Sequence, residues 1–147
     1  MTNIFDHVGI NVKDVDASKK FYTELLAPLG YRCNFELPQH QVYAFGHHKP
    51  QLWIMPGKDE SRECGPVHIC FATWNRSQVD KFYEAGLKAG AKDNGKPGLR
   101  KDYHRWYYGA FLIDPDGHNV EACCHWPPAL LYMVSWPAIV GYIGKMQ

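Results

Sequence analysis

Apolar and polar positions alternate in short runs, then change to a three- and four-residue rhythm, and this switch of period occurs twice along the chain in the same order. Ile4 to Val12 reads as a strand with Phe5, His7, Gly9 and Asn11 on one face and Val8, Ile10 and Val12 on the other. Asp14, Asp16 and Ser18 then offer capping groups ahead of Phe21, Tyr22, Leu25, Leu26 and Leu29, which share one helical face ending at Gly30. Three strands are predicted next, over Tyr31–Leu37, Gln41–Phe45 and Gln51–Met55, punctuated by Pro38, by Gly46 with His47 and His48, and by Pro50.

The second half repeats that order. Val67–Thr73 reads as a strand, Ser77 as a helix cap, and Val79, Phe82, Tyr83 and Leu87 as the inward helical face, ending near Gly90. A strand is weakly suggested at Ala91-Lys92, Gly95–Arg100 reads as loop, and Trp106–Ile113 is rich in β-prone residues. Asp114-Pro115-Asp116-Gly117 is a strong turn signal before a last strand, His118–Cys124. His68 follows His7 by 61 residues, and Phe82-Tyr83 follow Phe21-Tyr22 by the same interval, which argues for a duplicated module. If Trp53 and Glu121 are equivalent, their spacing of 68 gives the second half about seven extra residues, placed between Gly95 and Arg105.

With 147 residues, 46% of them hydrophobic and 14% aromatic, the chain is expected to be a single α+β domain over 1–147. Its parts are an N-terminal βαβββ module (1–58), a C-terminal βαβββ module (64–125) and an extension (126–147). Sixteen basic and fifteen acidic residues, mixed along the chain, leave a net charge of +1, which argues against nucleic acid as a partner. The N-terminus shows no signal-peptide pattern, so the protein reads as cytoplasmic. The apolar tail is broken by Pro127, Pro128, Pro137, Gly141 and Gly144, which argues against a membrane span and for a contact in a homodimer. Five cysteines, an odd number, favour reduced thiols; Cys70 or Cys123 can serve as a thiolate ligand or nucleophile, although buried cysteine ordinarily acts as a small apolar residue.

Chemistry enters through three residues on the polar faces of these strands. His68 shares its face with Cys70 and Ala72, and Glu121 shares its face with Asn119 and Cys123, away from the aliphatic helix-packing side. If both modules curl that face inward, His7, His68 and Glu121 can converge on one divalent metal, Fe, Mn, Ni or Zn, with positions left open for substrate. A carboxylate on an otherwise apolar last strand strengthens the expectation, because burying it without a partner is costly.

Asp6-His7-Val8-Gly9-Ile10, the Phe21-Tyr22 helix, Val67-His68-Ile69 and Asp114-Pro115-Asp116-Gly117-His118-Asn119-Val120-Glu121 resemble the vicinal oxygen chelate superfamily over about residues 4 to 125. That superfamily includes glyoxalase I, bleomycin-resistance proteins, extradiol dioxygenases and fosfomycin-resistance enzymes. The resemblance implies a paired βαβββ fold with a metal site held by the first and last strands of each module, in which His7, His68 and Glu121 fill three of four ligand slots. The fourth slot falls at Trp53, which cannot bind metal, with Gln51 one alternation away. This departs from the glyoxalase I pattern, and Gly9 departs from that of the fosfomycin enzymes.

The segment from Gly98 to Tyr108 concentrates cations, phenols and indole, as a substrate-pocket wall would. Arg100 can take a carboxylate or phosphate, Tyr103, Tyr107 and Tyr108 can stack on or bond a planar substrate, and His104 can act as acid or base beside Glu121. Two functions are compatible with these residues. One is a metal-dependent lyase, isomerase or dioxygenase acting on a small oxygen-chelating molecule; the other is a metal-free binding protein of the bleomycin-resistance type, with Trp53 stacking on the ligand.

Overall fold

The computed structural model describes residues 5–57 and 65–127. The extension from residue 128 onward, expected to form a dimer contact, lies outside them. The first module comprises β1 (Val8–Val12), α1 (Val15–Leu26), β2 (Arg32–Leu37), β3 (Val42–Gly46) and β4 (Leu52–Pro56). The second comprises β5 (His68–Ala72), α2 (Arg76–Lys88), β6 (Lys92–Leu99), β7 (Tyr108–Ile113) and β8 (Asn119–Cys124). Each forms a four-stranded sheet of the same order, β1-β4-β3-β2 and β5-β8-β7-β6, with one parallel pair at the helix-connected edge.

Both helices start on a side-chain cap. Asp14 accepts the Ala17 N–H at 2.9 Å, as the sequence suggests. In α2 the cap is Asn75, which accepts the Gln78 N–H at 3.0 Å, rather than Ser77. Either residue type can cap, and Asn75 has the extended backbone that the position needs. Phe21, Tyr22, Leu25, Leu26 and Leu29 are all buried as expected. On α2 the inward face is Val79, Phe82, Tyr83 and Gly86, while Leu87 is exposed. A Cβ on Gly86 would stand 2.3 Å from Leu112 Cδ1 and 2.7 Å from Leu25 Cδ1, so this glycine lets α1, α2 and β7 approach closely.

Two boundaries move in ways that matter for the site. Strand β1 begins at Val8, so His7 sits just ahead of it rather than within it. Gly95–Arg100 is not a free loop: all but Arg100 belongs to β6, which pairs with β7 through two register irregularities around Gly95. Glycine and proline weaken a strand taken alone, yet an edge strand with bulges accepts them once β7 supplies the partner. The extra residues of the second half are thus split between a longer edge strand and the loop at 100–107.

The helix-facing sides of both sheets share one core with α1 and α2, including Ile10, Val12, Phe45, Ile54, Phe82, Leu112 and Val120. The turn after β7 ties the modules together. Tyr22 donates to Asp114 Oδ2 at 2.6 Å, Ser18 to Asp116 Oδ2 at 2.9 Å, and the Lys13 N–H to Asp116 Oδ1 at 2.8 Å. His118 accepts the Val67 N–H and lies 3.2 Å from the Asn11 carbonyl, so the end of β1 adjoins the start of β5. No helix among the described residues is long and apolar enough to cross a membrane.

Candidate functional site

Strand β8 runs between β5 and β7, and Glu121 stands opposite Cys70 on one side and Phe111 on the other. It is 2% exposed. A carboxylate taken out of water needs partners, and Glu121 has two: Oε1 accepts the Tyr107 hydroxyl at 2.6 Å, and Oε2 lies 2.9 Å from His68 Nε2. Gly109 on β7 leaves the necessary space, since a Cβ there would be 3.0 Å from Glu121 Oε1 and 3.1 Å from Tyr107 Cε1. Burial, together with the bond to Glu121, pushes the Tyr107 hydroxyl above the usual phenol range and keeps it a donor.

His68 bridges this buried carboxylate and solvent, its side chain half exposed. Its ring lies 6.3 Å from the Phe111 ring, over which the Arg100 guanidinium sits at 5.3 Å. Arg100 donates to the Lys96 carbonyl at 2.7 Å, and Gly95 and Gly98 give it room. Arg100, Phe111 and His68 thus form one wall.

Below Glu121 lies a sulfur and imidazole cluster. Cys70, Glu121 and Cys123 each place one donor atom within 4.8 Å of the other two. Cys123 Sγ is 3.5 Å from His125 Nε2, and His125 Nδ1 is 2.8 Å from His104 Nε2. The Trp106 N–H donates to His104 Nδ1 at 3.1 Å. That backbone donor fixes the chain of protons: His104 Nδ1 accepts, its Nε2–H donates to His125 Nδ1, and His125 Nε2–H donates to the Cys123 sulfur. Burial, with His104 beside it, holds His125 below the usual imidazole range and so neutral.

The first-module residues stand apart from this group. His7 is exposed, with Nδ1 2.9 Å from Asp6 Oδ1, and Asp6 also pairs with Lys49. The Trp53 ring lies 5.9 Å from His7 and 4.9 Å from Phe35, and its indole N–H is buried without a partner. Within one chain His7 does not join a cluster of three donors with His68 and Glu121; among the described residues the group that gathers is Cys70, Glu121 and Cys123. His7 and Gln51 wall a cleft of about 200 Å³, with Cys70 and Phe71 across it.

Tyr103, expected in the pocket wall, is exposed and meets the Tyr107 ring edge-on at 4.9 Å. Tyr108 points to the helix side, donating to Asp80 Oδ1 at 2.8 Å beneath the Arg76 guanidinium. Phe111, Gly109 and His125 also belong to the site. Strand alternation carries a signal for them: Gly109 and Phe111 continue the face of Tyr107, and His125 lies two residues beyond Cys123.

Residues 4–122 match the family model described as Glyoxalase/Bleomycin resistance protein/Dioxygenase superfamily. The chain belongs to this superfamily. A glyoxalase/bleomycin resistance protein from Albidiferax ferrireducens shares 27% identity at a TM-score of 0.70, over 83% of this chain and 99% of that one. A lactoylglutathione lyase from Agrobacterium tumefaciens shares 19% identity at a TM-score of 0.62, over 84% and 94%. Fosfomycin resistance protein FosX from Mesorhizobium loti shares 16% at 0.59, over 90% and 99%. No curated protein sequence matches the chain. Likeness to the last two, at such low identity, concerns the fold alone. The superfamily's paired βαβββ architecture accounts for the repeated sheet order and for the equivalence of His7 with His68.

Proposed function

We propose that this superfamily member is a divalent-metal enzyme acting on a small oxygen-chelating substrate, with His68 and Glu121 of one chain and His7 of a second copy as ligands. The observation that carries this reading is the buried Glu121 carboxylate, held from the solvent side by a half-exposed imidazole. Imidazole nitrogen and carboxylate oxygen suit Fe, Mn, Ni or Zn. The separation of His7 from the pair within one chain supports a homodimeric site. When bound, such an ion supplies Lewis-acid activation of a coordinated oxygen.

The chain's own residues do the rest. Tyr107 holds Glu121 in one orientation through its 2.6 Å bond. Arg100, seated on Phe111 beside His68, can pair with an anionic group of the substrate. His104, joined to His125 at 2.8 Å, can pass a proton between that imidazole and a bound substrate. Trp53, its N–H unpartnered and its ring beside Phe35, favours a second reading, the metal-free sequestering protein, in which the indole stacks on and donates to a planar ligand.

Metal analysis of chelator-free protein separates the two. The enzyme reading expects metal in the wild-type chain and a lower metal content in His7→Ala and Glu121→Ala; a folded, metal-free wild type overturns it. Hemithioacetal isomerisation and catechol ring opening, assayed with Fe, Mn, Ni and Zn, then sort the reaction types.

A further inference from the structure

We infer that Cys70, Cys123 and Glu121 form a thiolate site for a soft or borderline divalent cation such as Zn²⁺ or Co²⁺, complete within one chain. It shares Glu121 with the proposed catalytic site but uses neither His7 nor His68. Two sulfurs and one carboxylate oxygen lie within 4.8 Å of one another, on neighbouring strands β5 and β8 whose pairing fixes their spacing. Zinc–sulfur bonds of about 2.3 Å in a tetrahedron bring two sulfurs to about 3.8 Å, so side-chain rotation is enough to close the set. Thiolates select soft and borderline metals over the hard cations that oxygen ligands prefer.

The surroundings prepare Cys123 for this role. His125 Nε2–H is aimed at its sulfur, in a tautomer dictated through His104 by the Trp106 backbone N–H. A ligand held by such a donor keeps its orientation. Cys123 is buried, whereas Cys70 is exposed and lines the cleft, which gives the ion a way in and leaves the fourth position to water or a small ligand. On binding, each thiol releases its proton to solvent and the hydrated ion sheds water as the two metal–sulfur bonds form.

The test titrates Co²⁺ into reduced, metal-depleted full-length protein and follows sulfur-to-cobalt charge transfer in the near ultraviolet. One equivalent is expected to give the band in the wild type and equally in His7→Ala, whose side chain touches none of the three donors. Cys70→Ser and Cys123→Ser are expected to bind roughly tenfold or more weakly, and the double variant to lose the band. Cobalt binding without the band, or a band that survives in the double variant, overturns the inference. A thiol count on the wild type needs no variant: saturating Zn²⁺ is expected to protect the exposed Cys70 from a disulfide reagent and so lower the count of reactive thiols by one, and an unchanged count overturns it equally. A lowered metal content in His7→Ala with the cobalt band kept supports the thiolate site and the proposed catalytic site as separate.

Discussion

Trp53 and Glu121 occupy the same place in the two modules: Trp53 pairs with Gly9 across β4 and β1, and Glu121 pairs with Cys70 across β8 and β5. Gly9 and Cys70 are themselves 61 residues apart, so the register repeats the interval between His7 and His68. One module puts a buried carboxylate at this position and the other an indole. A carboxylate in both would place one acidic ligand on each sheet. Trp53→Glu is therefore expected to tighten Zn²⁺ or Ni²⁺ binding roughly tenfold, about 1.4 kcal/mol. Calorimetric titration that finds equal or weaker binding would remove Trp53 from the metal site.

Separate defects in His7 and Glu121 test where the site is assembled. If each site takes His7 from one copy and Glu121 from the other, His7→Ala and Glu121→Ala chains are each inactive alone. Mixed after dissociation, they regain one intact site per heterodimer, about a quarter of wild-type activity at random pairing. No recovery in a mixture shown to contain heterodimers would place the whole site within one chain.

Gly109→Ala is expected to disturb the carboxylate before anything else. Its methyl group would press on Glu121 Oε1 and Tyr107 Cε1, and overpacking of this kind costs about 1–3 kcal/mol. Thermal unfolding should show a Tm lowered by several degrees, together with weaker metal binding. An unchanged Tm would mean that the strands yield without cost.

Tyr22→Phe removes a buried hydroxyl from Asp114 and, with it, a bond between the modules. Leaving a buried carboxylate short of a donor costs about 1–3 kcal/mol. The urea midpoint should fall with an unchanged slope; an unaltered midpoint would show that solvent replaces the hydroxyl.

Much of the architecture is legible in hydrophobic period and repeat interval, because both depend on residues close in sequence. The α1 face, the Asp14 cap and the Asp114–Gly117 turn follow from local chemistry. What escapes depends on distant partners. β6 contains Gly95, Pro97 and Gly98, a composition that argues for loop, and is a strand because β7 pairs with it and Arg100 needs the space. The His104–His125 contact joins a loop to the end of β8, and no spacing rule predicts it. The buried partnership of His68 and Glu121 lies between these extremes: strand alternation puts both on one face, while the 2.9 Å contact depends on the parallel register of β5 and β8.

The Asp114–His118 turn has a consequence for motion between the modules. Its carboxylates grip Tyr22, Ser18 and the Lys13 amide, whereas the matching turn of the first module, Gly46 to Pro50, has no acidic residue. At that other end, Tyr31 meets Phe71 through ring contact at 6.0 Å. The joint is therefore riveted on one side and greased on the other. Breathing between the halves is expected to turn about the aspartates and to open at the cleft that His7 and Cys70 line. Amide exchange should accordingly be slowest at Tyr22 and His118 and faster across the start of β1.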